Sequence, residues 1–77
     1  MNMLEKLQEI IADKLGIEAS EIKPESKFSE DLGADSLDLF EVVMGLEEAF
    51  EVSIDNEDLD QIKTVQDAMD YIANKQA

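Results

Sequence analysis

The chain contains no cysteine and no histidine. Without cysteine there is neither a disulfide nor a thiolate nucleophile, and the sequence is compatible with a reducing compartment. Without histidine the side chain that ordinarily titrates near neutral pH is missing, so neither Ser-His-Asp nor Cys-His catalysis can be assembled. Bases are scarce and of one kind. Lys6, Lys14, Lys23, Lys27, Lys63 and Lys75 face 20 acidic residues, for a net charge of −14. A surface this acidic repels phosphate backbones and excludes nucleic-acid binding, while favouring partners with basic patches. No apolar run is long enough to span a bilayer, and Glu5 and Glu9 stand where a secretory leader would be basic. The expectation is a non-enzymatic, cytoplasmic chain that does not insert into membranes.

What is present is 77 residues, enough for one domain, 1–77, with a single small core. Apolar residues recur at helical spacing, which argues for folding despite the charge. Leu4, Leu7, Ile11 and Leu15 predict a helix over 3–15, with Asn2 as cap, Glu5 three residues on and Gly16 as stop. Periodicity then lapses to Asp35, where Pro24, Ser26, Ser29 and Gly33 signal a long loop. Such a loop in a small domain is ordered by its own anchors, here Ile17, Ile22, Phe28 and Leu32. A second helix is expected over 36–50, capped by Asp35 or Ser36, with Leu39, Val42, Val43, Leu46 and Phe50 as its core stripe. Ile54, Leu59 and Ile62 support only a short third helix starting near Asn56. Thr64 and Asp67 open a fourth that buries Val65, Ala68, Met69 and Ile72 and ends near Asn74. The fold class is all-α: a four-helix bundle with a short third helix and a long loop between helices one and two. Gly45 inside helix two costs on the order of 1 kcal/mol relative to alanine.

The acids are spread along helices and loops, where they read as solvated groups rather than an acid–base pair. A calcium loop opening at Asp31 would place Gly33 at a ligand position and Ser36 at the obligatory glycine, so the pattern fails and no metal site is assigned. On the outer face of helix two, Leu37 and Met44 alternate with Glu41 and Glu48, flanked by Asp38 and Glu47. Apolar side chains set among carboxylates suit a docking surface, and equally suit an ordinary solvated face. Ser36 has two readings as well. Serine is a common helix cap, and a helix N-terminus also accommodates a phosphate through its free N–H groups and dipole.

The segment Asp31-Leu32-Gly33-Ala34-Asp35-Ser36-Leu37-Asp38 resembles the modification motif of bacterial acyl carrier proteins of dissociated fatty acid synthesis. Leu46-Glu47-Glu48, Thr64-Val65-Gln66-Asp67 and Asp70-Tyr71-Ile72 extend the resemblance along the chain. It implies a 4′-phosphopantetheine arm on Ser36 through a phosphodiester, with acyl chains carried as thioesters on the arm's thiol, which accounts for the missing cysteine. It further implies activation of Ser36 by a phosphopantetheinyl transferase and delivery by a monomeric carrier to separate fatty acid synthesis enzymes. Asp35, Leu37, Asp38, Glu41, Met44, Glu47 and Glu48 become docking residues, and Val43, Leu46, Ile54, Leu59, Ile62 and Ala68 a shelter for the acyl chain. Leu39, Phe40, Gly45 and Asp55 depart from the residues common in that family. Two alternatives stay open: a carrier of the same chemistry in a specialised pathway such as polyketide or lipid-A assembly, and an acidic interaction module or nucleic-acid mimic that uses its charge alone.

Overall fold

A computed structural model describes residues 2–76; Met1 and Ala77, the ends of the expected 1–77 domain, lie outside the described residues. Three α-helices, α1 (Met3–Leu15), α2 (Ser36–Phe50) and α3 (Val65–Gln76), are joined through two 3₁₀ segments, Ala19–Glu21 and Asn56–Gln61. Helix α1 begins as its sequence requires: the Glu5 N–H donates to Asn2 Oδ1 at 2.8 Å. It ends at Gly16, whose φ of 68° is the left-handed conformation that only glycine adopts without strain. The expected short third helix is present as the 3₁₀ segment Asn56–Gln61. Its bonds take the tighter i→i+3 form, with Asp58 N–H donating to the Asp55 carbonyl at 2.9 Å and Ile62 N–H to the Leu59 carbonyl at 3.1 Å. The last helix runs to Gln76 rather than Asn74. The turn Ala19–Glu21 inside the long loop was not foreseen.

Leu7 and Ile11 of α1, Val42, Val43 and Leu46 of α2, and Val65, Ala68 and Ile72 of α3 form the core, completed by Ile22, Phe28, Ala34, Ile54 and Ile62 from the connections. Leu39 and Phe50 of the expected stripe pack against it half-buried, as do the loop anchors Ile17 and Leu32. Gly45 sits where α1 crosses α2. A Cβ there would lie 3.0 Å from Ile10 Cγ2 and 3.1 Å from Lys14 Cε, so the departure from helix propensity serves close packing. Gly45→Ala is expected to change stability by less than about 1 kcal/mol, because the propensity gain offsets the crowding. Gly45→Leu should destabilise by roughly 1–3 kcal/mol in urea unfolding, since its extra atoms can be housed only by separating the helices.

The long loop is ordered because it caps α3. The Val65 and Gln66 N–H groups donate to the Ser26 and Pro24 carbonyls at 3.0 and 2.8 Å. Asp67 N–H donates to Thr64 Oγ1 at 3.1 Å, and Ala68 N–H donates to the Thr64 carbonyl at 3.2 Å. The donors that a helix start leaves without partners are thus satisfied. Phe28 N–H donates to the Lys63 carbonyl at 3.0 Å, and Lys27 and Thr64 form an isolated antiparallel bridge, so the two connections are clamped together.

Helix α2 has no base in its own last turn. Lys6 of α1 supplies one, donating to the Ala49 carbonyl at 3.0 Å with its ammonium 4.7 Å from the Phe50 ring centre. On the other side, the Tyr71 hydroxyl of α3 donates to Asp58 Oδ2 at 2.6 Å and holds the 3₁₀ segment Asn56–Gln61 against the helix. That bond to a carboxylate, aided by desolvation, raises the Tyr71 pKa above the ordinary phenol value of 10.0. The neutral phenol is therefore the form the fold prefers. The associated stability is present below pH ~10 and is lost as pH rises through the raised value. Tyr71→Phe should lower the melting temperature near neutrality, and the gap from the parent should narrow above pH ~10. A gap that stays constant with pH would rule out this role for the hydroxyl.

Candidate functional site

Helix α2 starts on a complete capping box. Asp38 N–H donates to Asp35 Oδ1 at 2.9 Å, and Asp35 N–H donates back to Asp38 Oδ2 at 3.3 Å. Asp35 is therefore the cap, and the ordinary reading of Ser36 as the cap is set aside: Ser36 is the first residue inside the helix. Its side chain is exposed, and among the described residues its hydroxyl makes no hydrogen bond. The N–H groups of Ser36 and Leu37 have no acceptor among the described residues either. The start of α3 is closed by the loop, whereas the start of α2 is left open at the serine. An exposed hydroxyl beside two unclaimed N–H donors can bear a phosphoester whose anionic oxygens those donors meet.

Ser36 also stands at the edge of a groove of about 690 Å³. Its apolar walls are Phe28, Ala34, Leu39, Leu59 and Ile62, and its charged members are Lys27, Glu30, Asp35, Asp60 and Lys63. This volume falls in the range of small-molecule sites, about 300–1,000 Å³. Of the six residues expected to shelter an acyl chain, Leu59 and Ile62 line the groove. Val43, Leu46, Ile54 and Ala68 lie in the closed core behind it, in contact with the same cluster. Phe28, Ala34 and Leu39 complete the groove, and sequence periodicity gave no sign that loop residues would meet the start of α2. The clamp between Phe28 and Lys63, which brings them there, leaves no trace in either segment alone.

Along the outer face of α2, Leu37 is 70% exposed and Met44 63%, with Glu41 and Glu48 exposed beside them. Phe40 is 44% exposed and joins that stripe three residues after Leu37 and four before Met44. The helical spacing of these three was the signal available for it. Asp35 and Asp38 lie at the upper end of the face with their carboxylates engaged in the cap. Glu47 is half-buried and accepts from the Ile54 N–H at 2.8 Å, so it fastens the following loop as well as adding charge.

Residues 5–72 match the family described as the phosphopantetheine attachment site. The acyl carrier protein of Nitratidesulfovibrio vulgaris strain DP4 is 55% identical over 76 residues, covering 99% of this chain and 100% of the relative. That of Solidesulfovibrio magneticus is 53% identical over 75 residues, covering 97% and 96%. A helix that opens on an unbonded, exposed serine thus lies within an alignment that runs nearly end to end, and the chain belongs to the acyl carrier protein family, with its phosphopantetheine attachment site.

Proposed function

We propose that this chain carries growing fatty acyl groups on a 4′-phosphopantetheine arm attached to Ser36 and presents them to separate fatty acid synthesis enzymes in the cytoplasm. The observation that carries this is the open start of α2, where the Ser36 hydroxyl and two N–H groups are unclaimed among the described residues while Asp35 and Asp38 hold the helix in place. The residues fit the arm: the hydroxyl is accessible, the free N–H donors of Ser36 and Leu37 would be available to its phosphate, and the groove with apolar walls adjoins it. When attached, the arm supplies the thiol that this cysteine-free chain lacks.

The chain's own part is positional. Ser36 supplies the oxygen of the phosphodiester, and its proton is removed by the transferase, because no base among the described residues bonds it. The carboxylates of Glu41 and Glu48 steer a basic partner onto α2, with Asp35, Asp38 and Glu47 adding to the same field. Leu37, Met44 and the exposed Phe40 supply apolar contact once the partner is seated. Leu59 and Ile62 are the entry by which a chain in the groove would reach Val43, Leu46, Ile54 and Ala68. The chain acts as a monomeric carrier rather than a catalyst.

The test is intact mass. Incubated with coenzyme A and a phosphopantetheinyl transferase, the chain should gain the mass of one arm. No gain with a transferase proven on another carrier would sink the proposal.

A further inference from the structure

We propose that the groove beside Ser36 seats a carboxylate at the far end of an acyl cargo, with Lys63 as its cation and Lys27 alongside. This rests on Ser36 being the tether. Lysines are the chain's only bases, and two of the six line this one groove. Their placement is built into the fold. Phe28 N–H donates to the Lys63 carbonyl at 3.0 Å, Lys27 bridges to Thr64, and Lys63 N–H donates to Asp67 Oδ2 at 3.1 Å.

The ammonium groups differ in what they already hold. Lys27 Nζ meets Glu30 at 3.4 Å, Lys6 bonds the Ala49 carbonyl, and Lys75 stands 5.5 Å from the Tyr71 ring centre. Lys63 Nζ has no acceptor among the described residues. The acids that share the groove are Glu30, which already meets Lys27, Asp35, which caps α2, and Asp60. Apolar walls with a free cation match a methylene chain that ends in an anion. A phosphodiester on Ser36 would find the unclaimed N–H groups of Ser36 and Leu37, leaving Lys63 for a charge farther along the cargo. The chain's net charge of −14 gives the proposal a definite sign. A carboxylate held near this surface without a local cation has its pKa raised by like charge, and one seated against Lys63 has it lowered.

The experiment loads the full chain by transferase from the coenzyme A thioester of a medium-chain dicarboxylic acid, isotope-labelled at its free carboxyl and confirmed by intact mass. The carboxyl is then titrated by NMR at low salt. In the parent it should titrate below the free compound by roughly half a pH unit or more. Lys63→Arg should retain that depression. Lys63→Gln should reverse it, whereas Lys23→Gln, which removes the same charge outside the groove, should not. A carboxyl that titrates at or above the free value in the parent overturns the proposal, as does an equal effect of both glutamine variants. A phosphorus resonance of the cargo-free arm that moves in Lys63→Gln, with the carboxyl unaffected, assigns Lys63 to the phosphodiester and overturns it too. Failure to load Ser36 at all sinks the tether reading with it, and the mass measurement separates that outcome from the others.

Discussion

Ser36→Ala should abolish the arm's mass gain completely while leaving the melting temperature within a few degrees of the parent. The two halves of this expectation come from the same geometry. Ser36 is the first residue of α2 and its hydroxyl bonds nothing among the described residues, so removing the oxygen breaks no contact. Alanine is also the better helix former, by a few tenths of a kcal/mol. Asp35→Ala is the counterpart one residue earlier. It removes the cap and should cost roughly 0.5–2 kcal/mol. The pair separates a residue that holds the helix from one that only presents a group. Ser29→Ala, exposed in the same groove, serves as control and should keep the mass gain. A gain that survives in Ser36→Ala would move the tether to another residue.

Leu46→Ala should be the most damaging single truncation among the proposed cargo residues. Leu46 is 1% exposed at the centre of the α2 stripe. Such truncations cost roughly 2–5 kcal/mol, through lost burial and the cavity left behind. A domain of this length holds only about 4–12 kcal/mol in all, so the variant should lose a large part of its resistance to urea. If an acyl chain enters from the groove past Leu59 and Ile62, it can refill that cavity. The stabilisation gained on loading a saturated acyl chain should then be greater for Leu46→Ala than for the parent. Equal gains in the two proteins would place the cargo outside the core.

The helices were legible in the sequence because their signals are local. Asn2 with Glu5, Gly16, Asp35, and Thr64 with Asp67 act within one turn, and the apolar stripes repeat within each segment. The end of α2 carried a weaker signal: Glu51 turns the chain at φ 55° without the glycine such a position favours. The proposed tether drew its signal from the family resemblance around Ser36, and the capping role that serine could also have filled belongs to Asp35. The groove could not be read this way. It is made by Phe28 and Ala34 from one connection, Leu59 and Lys63 from another and Ser36 and Leu39 from α2, which meet only through a clamp between distant segments. Gly45 had the opposite history. Its cost was visible in the sequence, and its reason, the close crossing of α1, was not.

The clamp between Lys27 and Thr64 closes a loop that contains the whole of α2. In kinetic terms, such a contact bears the loop-closure entropy of everything it encloses, so it forms late in folding, after the local turns of helix have been made. The helix that bears Ser36 can therefore begin to form early, from its own cap, while the groove beside it comes into being only once the two distant connections have met.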